Sequence, residues 1–520
     1  MMNKRLLVLL LALSVTTPLC ASCGNGVAED SAASESTVPA ENIETAETEI
    51  TRENMPDTLP GGLDFNGTDI NVYYFGQTVA ARYDGPAELT GDTLTDALYN
   101  RNLTVEERLN VKFNWVKGSE DYNGFPAEVA TFIQAGASDY DFIIEENQSM
   151  FQQAIMGYFY DLMNMPYIDL DQPWWYNDLM EESSLDNSRR YFLSGDICLS
   201  TLARASAAYF NKEIFHDYFG DVNVIYEQVL DGKWTHELMM EYSRNVATDL
   251  NGDGDYDNND ILGFGYQQWG VPNYLSMSTG IEYTTRDSNG FPVLNLHSEQ
   301  VLEWADTLYR MMYTDNMSFD ESSSNYMDTF KNAHYLFHLA RLDTAFDLRD
   351  TIFEYGILPY PKLSEELEYT SAAGTANGDG VAIPVTADPN KIDATLASIE
   401  ALCAEGYRRV APAWFESAMK FRYSDEPIDA QMLDLIHETI RSPFIMMASK
   451  QLEVWDPFLP LRFTALPQKG HLLPTGRKTK KCTLQRLKIP LQPIWNWIPD
   501  ETIHRKDRIS GLFFFAYCMC

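Results

Sequence analysis

The stretch 69-DINVYYFG-76 is rich in β-branched and aromatic residues and closes on a glycine, the composition of a buried strand. Asp92 is placed to cap a helix running to about Leu109, because Leu94, Ala97, Leu98, Val105 and Leu109 recur at helical spacing. Residues 111–116 (VKFNWV) read as a second strand and 125–135 as a second helix. Residues 139–144 (DYDFII) read as a third strand, with an apolar end suited to a sheet covered on both faces. Strand, helix, strand, helix, strand predicts a parallel α/β layer. In such sheets ligands gather beyond the carboxyl ends of the strands, which makes Phe75–Gln77 and Glu145–Gln148 the first candidate contact segments.

Composition bounds the rest. The chain has 520 residues, and the roughly 460 after residue 60 exceed what one core can organise, so two or three compact units are expected. Hydrophobic residues at 45% and aromatics at 13% supply those cores. The net charge of −38 argues against nucleic acid, whose phosphates need clustered Lys and Arg, and disfavours strongly anionic ligands. The seven cysteines form no framework: Cys198 and Cys403 stand alone, and no CxxC occurs beyond the first residues. Structural zinc and thiol redox chemistry are unsupported.

The start of the chain reads as an export signal over residues 1–22. Lys4 and Arg5 precede the apolar run Leu6–Leu13, and Cys20-Ala21-Ser22-Cys23 follows. That ending resembles the lipobox of bacterial lipoproteins, with Cys23 as the lipidated residue, although Cys20 stands where the pattern usually has Leu. Gly24–Pro60 carries nine acidic residues against one base, Arg52, and no aromatic. It is expected to be a disordered acidic tether (23–60) between lipid and globule.

Several later segments occur in a telling order. They are Leu193–Ile197 (LSGDI), Tyr209–Phe215 (YFNKEIF), Gly232–Thr235 (GKWT), Gly356–Lys362 (GILPYPK) and Gly378–Pro384 (GDGVAIP). Together they resemble the extracellular solute-binding proteins of bacterial ABC importers, in the sugar-handling branch, over Thr68 to roughly Ser449. The resemblance implies an α/β, two-lobe periplasmic-binding-protein-like fold of type II. Each lobe would be a mainly parallel sheet flanked by helices, with a hinge of crossing strands. It implies lobe 1 over 61–205 plus about 372–440, and lobe 2 over 206–371 plus about 441–457. YFNKEIF would enter the second lobe and GDGVAIP would return to the first. The implied role is capture of a small solute, a sugar or oligosaccharide, by a monomer that is lipid-anchored on the outer face of the cell membrane and serves ABC permease subunits. A secreted carbohydrate-active enzyme and a non-transport surface carbohydrate-binding protein are the other readings. No GxSxG, Walker loop or dinucleotide fingerprint points to catalysis.

Within this frame Tyr83, Trp174, Trp175 and Trp269 are candidate stacking surfaces for sugar rings, and Arg82, Glu145, Asn147 and Arg341 candidate partners for hydroxyls. Trp234 is expected to pack at a helix start. Residues 249–260 place oxygen side chains at Asp249, Asn251, Asp253, Asp257 and Asp260, with Gly254 at the turn and Asp255 offering its carbonyl. This is a Ca2+ loop pattern ending in Asp where Glu is usual, and the cation would stiffen the second lobe. His334 and His338 have zinc-pair spacing but lack the Glu of HExxH and a third ligand.

From Phe458 the chain turns basic, with eleven Lys and Arg against three Asp and Glu and six prolines. This atypical tail, 458–520, is expected to arise from a shifted reading frame near Trp455–Phe458. An intact alternative frame encoding a helical ending would establish that, and its absence would make the tail a true basic appendage.

Overall fold

The computed structural model describes residues 50–448 except 77–87, 185, 187, 268–269, 297, 314, 323–325, 374–377 and 420–426, together with the strand pieces Arg486–Leu487 and Phe515–Ala516. The expectations for the signal, Cys23 and most of the basic tail therefore lie outside the described residues.

The first lobe begins β1 (Thr68–Tyr74), α1 (Thr93–Leu109), β2 (Val111–Lys117), α2 (Gly124–Gln134), β3 (Phe142–Glu146) and α3 (Asn147–Ile155), in the order the sequence predicts. It continues through α4 (Asn177–Ser183) and α5 (Leu199–Ala203). Asp92 caps α1 by accepting from the Thr95 N–H at 2.9 Å, and Asn110 stops it in the left-handed conformation at φ 49°. β1 is buried on both faces: Ile70 and Val72 point into one apolar cluster, Tyr73 and Phe75 into another. That is why it reads as a near-continuous apolar run.

The second lobe comprises β4 (Ser206–Asn211), α6 (Lys212–Phe219), α7 (Asn223–Leu230), α8 (His236–Val246), β5 (Leu262–Tyr266), α9 (Val271–Met277), the hairpin β6 (Thr284–Arg286) and β7 (Pro292–Leu294), α10 (Glu299–Tyr313), β8 (Ser318–Asp320), α11 (Tyr326–Lys331), β9 (Tyr335–Arg341) and β10 (Tyr355–Leu358). Trp234 is fully buried just before α8, and its indole donates to Pro359 O at 2.9 Å, as expected of a residue at a helix start. The chain then runs through β11 (Ser371–Ala372), β12 (Asp379–Ala382), α12 (Ile392–Glu405), a π-helical turn (Gly406–Val410), α13 (Ala411–Met419), α14 (Pro427–Glu438), β13 (Ile440–Arg441) and α15 (Phe444–Met447).

The two main sheets follow one plan. The first has the order β12-β3-β1-β2 and the second β10-β4-β9-β5-β8. In each, the first parallel strand lies between the second and third, and one antiparallel strand (β12 or β4) pairs with the third. Both antiparallel strands follow directly from a crossing between lobes. The crossings are joined: Ala205 bridges Ala373, β11 runs parallel to β13, and the Ala373 N–H donates to Arg441 O at 2.9 Å. The expected type II architecture and hinge of crossing strands are both present.

Two boundaries differ from expectation. α14 lies on the second lobe, where Asp429 approaches Lys212 at 3.9 Å, whereas α15 lies on the first, where Gln148 Nε2 donates to Met446 O at 2.9 Å and Phe444 packs edge-on against Phe151. The expected division assigned 372–440 to the first lobe and 441–457 to the second; α14 in fact meets both lobes, since its His437 Nε2 also contacts Asp196 at 2.9 Å.

The tether also ends sooner. Residues 50–60 are docked on the first lobe instead of extending as linker. Asp57 is gripped by Arg108 at 2.6 and 2.7 Å and by Arg408 at 2.6 Å, and Arg408 Nε also donates to Met55 O at 2.9 Å. Arg52 stacks 4.2 Å over Tyr407, donates to Tyr407 O at 3.0 Å and reaches Asp434 on α14 at 3.3 Å. Local composition could not show this, since three of the partners stand more than 350 residues away.

Burial opposes ionisation of Asp57, yet the two guanidinium groups hold its pKa at about 2, below the usual 3.8. A depressed carboxyl stabilises the fold above its unfolded pKa and loses that contribution as pH falls through the folded one. Asp57→Asn is therefore expected to lower stability by about 1–3 kcal/mol at pH 7. The gap from wild type should close between about pH 4 and pH 2 in urea titrations; a gap independent of pH would count against the ion pairs as its source.

Candidate functional site

The two sheets bring the ends of their parallel strands to the same place. Ser206, opening β4, pairs with Arg341 at the end of β9, and β5 and β8 run parallel to β9. Asp379, opening β12, pairs with Glu146 at the end of β3, and β1 runs parallel to β3. Both carboxyl-terminal edges thus face the crossing strands, the edge at which open α/β sheets bind ligands.

On the first-lobe edge, the apolar strand β3 ends in two buried carboxylates. Gln153 Nε2 donates to both oxygens of Glu145, at 3.3 and 3.0 Å, and Ser149 Oγ donates to Glu146 at 3.0 Å. Asn147 opens α3 and its N–H donates to Gly378 O at 2.9 Å. Its side chain lies so close to Gly380 that a Cβ there would meet Asn147 Oδ1 at 2.7 Å, which is why that position is glycine. Asp379 is buried beside them. Ser200 donates to its carboxylate, and its backbone N–H donates to Thr201 Oγ1 at 2.9 Å.

The second-lobe edge carries a guanidinium. Arg341 grips Asp343 in a two-point fork, Nε at 3.0 Å and Nη2 at 3.1 Å, with Tyr274 of α9 and Arg204 alongside. Burial works against the charge of Arg341, but Tyr274 and Asp343 hold its pKa above the ordinary value. Of the predicted contacts, Glu145 and Asn147 fall on one edge and Arg341 on the other. Arg82, Tyr83 and Trp269 lie outside the described residues. Asp343, Tyr274 and Asp379 were missed; a charge two residues beyond a strand's apolar end was the available signal for Asp343.

Trp174 and Trp175 correct the sequence reading. Both are buried in the first-lobe core, and both indole N–H groups donate to Glu400 on α12, at 3.0 and 3.1 Å. A Pro-Trp-Trp-Tyr run suggests a stacking rim, but the buried carboxylate opposite turns the rings inward.

The 249–260 loop closes on itself. Asp249 accepts from the N–H groups of Gly252 and Gly254 at 2.6 and 2.9 Å, and the buried Asp260 from those of Leu250 and Asp257 at 2.9 and 3.0 Å. Asn251 Nδ2 donates to Asp253 at 2.8 Å. The donor set suits a hard cation. Among the described residues, however, no three His, Cys, Asp or Glu groups converge as a metal site. His334 and His338 do not converge either. His334 contacts Asp260 O at 3.0 Å, whereas His338 is buried against Phe330, and burial drives its pKa down to about 3.

No protein-family model matches the sequence, and no curated protein does. Solved structures do share its architecture. A cyclo/maltodextrin-binding protein complexed with maltotetraose aligns with a TM-score of 0.51 at 11% identity, over 77% of this chain and 92% of that one. The ABC substrate-binding protein Lmo0181 from Listeria monocytogenes, in complex with cycloalternan, aligns at 0.45 and 13% identity over 74% and 90%. Maltose-bound MalE3 from T. maritima aligns at 0.45 and 14% over 77% and 95%. The first of these establishes a common two-lobe binding-protein fold; at this identity it establishes the fold alone.

Burial raises the Glu400 carboxyl to about 8, although Asp169 N–H and the two indoles oppose the rise. Its folded pKa exceeds the unfolded 4.5, so its contribution to stability declines as pH climbs from 4.5 to about 8. Glu400→Gln, neutral throughout, is expected to lose less stability than wild type between pH 5 and pH 8. Parallel urea curves with a constant offset at the two pH values would contradict this.

Proposed function

We propose that this protein captures a small solute, a sugar or oligosaccharide, between its lobes and hands it to the permease subunits of an ABC importer. The observation that carries this reading is the matched topology, in which both sheets present their ligand-binding edges to one set of crossing strands. Rotation about those strands would close the edges on a solute. The polar groups there are fixed by their own partners: Glu145 by Gln153, Asp379 by Ser200 and Thr201, Arg341 by Asp343. Pre-oriented carboxylate and guanidinium groups suit hydroxyl recognition, and the ring of Tyr274 offers a face for sugar C–H groups. The fold neighbour that holds maltotetraose supports the class by analogy. The protein binds and releases its solute without chemical change.

A thermal-shift screen over mono- and oligosaccharides, maltotetraose included, tests this. A ligand at about a hundred times its Kd adds roughly 2.7 kcal/mol of apparent stability, a shift of a few degrees. Arg341→Ala should abolish the shift; because it strands Asp343, the unliganded melting temperature is expected to fall as well, with native far-UV circular dichroism retained. No shift with any sugar, or product formed from one, would defeat the proposal. The 249–260 loop is proposed to take Ca2+ weakly, at about 10⁻⁴–10⁻³ M. Millimolar Ca2+ over EDTA should then raise the melting temperature in wild type but not in Asp249→Asn.

The proposed site of action is the outer face of the cell membrane, with Cys23 lipidated. Cys23→Ala is expected to move the protein from the membrane pellet to the medium; an unchanged pellet fraction would rule out the anchor.

A further inference from the structure

The hairpin β6–β7 belongs to the second lobe. It is flanked by Tyr283, whose hydroxyl donates to Ser276 O of α9 at 2.7 Å, and Asn295, whose N–H donates to Tyr283 O at 2.8 Å. Its Arg286 reaches out of that lobe. Nη1 donates to Ser184 O at 2.5 Å and to Gly290 O at 3.2 Å in its own hairpin. Nη2 donates to Glu181 O at 2.7 Å and to Glu182 O at 3.3 Å. Glu181 and Glu182 lie in the last turn of α4 in the first lobe, and Ser184 caps it, its N–H donating to Glu181 O at 3.2 Å. A helix end leaves its final carbonyls without intrahelical partners and carries partial negative charge, so a guanidinium suits it in both geometry and sign.

The same turn holds the third crossing strand. Arg441 Nη2 donates to Glu182 Oε1 at 2.7 Å and the Phe444 N–H donates to Glu182 Oε2 at 3.1 Å. The Arg286 guanidinium lies 5.8 Å from the Phe444 ring centre. Glu182 thus fastens the crossing strand while the adjacent carbonyls receive the second lobe.

We infer that Arg286 is an interlobe latch, which bonds the second-lobe hairpin to the last turn of α4 and limits how far the lobes swing about the crossing strands. Its energy comes from charge-assisted bonds that exist only while the hairpin meets α4. The latch depends on the two-lobe fold and not on which solute is bound.

The test uses the full chain without ligand. Arg286→Ala is expected to raise hydrogen exchange in the last turn of α4 and in the hairpin by about tenfold or more. It should also enlarge the radius of gyration in small-angle scattering, with native far-UV circular dichroism. Arg286→Lys keeps the cation but not the fork and should fall between the two, which keeps the test decisive if the alanine variant folds poorly. Thr285→Ala, on the exposed side of the same hairpin, should match wild type. Wild-type exchange and scattering in a folded Arg286→Ala would overturn the latch. So would faster exchange confined to the hairpin with α4 unchanged, because that would make Arg286 a local brace.

Discussion

Everything in this fold hangs on three backbone segments hydrogen-bonded side by side where the chain passes between lobes. Ala205, Ala373 and Arg441 lie in adjacent strands, and the Ala372 N–H is accepted by Ser206 Oγ at 2.9 Å. Ala205, Ala372 and Ala373 are all buried at this crossing. β4 and β12 leave this crossing antiparallel to their neighbours. The parallel strands of both sheets must therefore finish beside it. Polar side chains gather at this seam because it is where strands end and apolar packing stops.

Charge is buried around the seam only where it is answered. Asp196 accepts from the Tyr176 hydroxyl at 2.7 Å and contacts His437 Nε2 at 2.9 Å, which ties α14 to the first lobe. Glu182 serves the crossing strand and Asp57 the docked arm. An uncompensated buried ion is strongly destabilising, whereas a satisfied one fixes geometry without adding much net stability. Most of these contacts join residues far apart in sequence, so they specify which segments meet more than they hold any one segment together. Gly406 shows how tight the assembly is, since a Cβ there would come within 2.2 Å of Asp196 O.

Periodicity alone made the first lobe legible. The apolar spacing of α1 and the two-faced apolar run of β1 match what was read from the residues, down to the cap at Asp92. The second lobe was legible only through ordered motifs, because its antiparallel entry strand and long insertions hide the strand–helix rhythm. Partner choice was not legible. Nothing around Trp174 announces a carboxylate 226 residues later, and nothing in an acidic stretch announces that Asp57 meets Arg108 and Arg408. The binding edge was half legible: strand ends located Glu145 and Asn147, but Asp343 comes from the 3-10 turn after β9 and Tyr274 from α9, whose placement the sequence does not encode locally.

The acid excess gives the arginines at the seam their particular weight. With 76 acidic residues against 38 basic ones, two lobes of one sign repel each other through solvent, and that repulsion favours separation. It is long-ranged and screened over about 8 Å at physiological salt, so it acts softly. Opposing it are short, directional contacts to α4 from Arg286, which spans several carbonyls at the helix end, and from Arg441 of the crossing strand, which meets the Glu182 carboxylate. A lysine offers a point charge and could not span two acceptors in one plane. The lobes are thus held by a few directional bonds against a diffuse force, and a balance of that kind can be tipped by a small solute that adds a few bonds of its own.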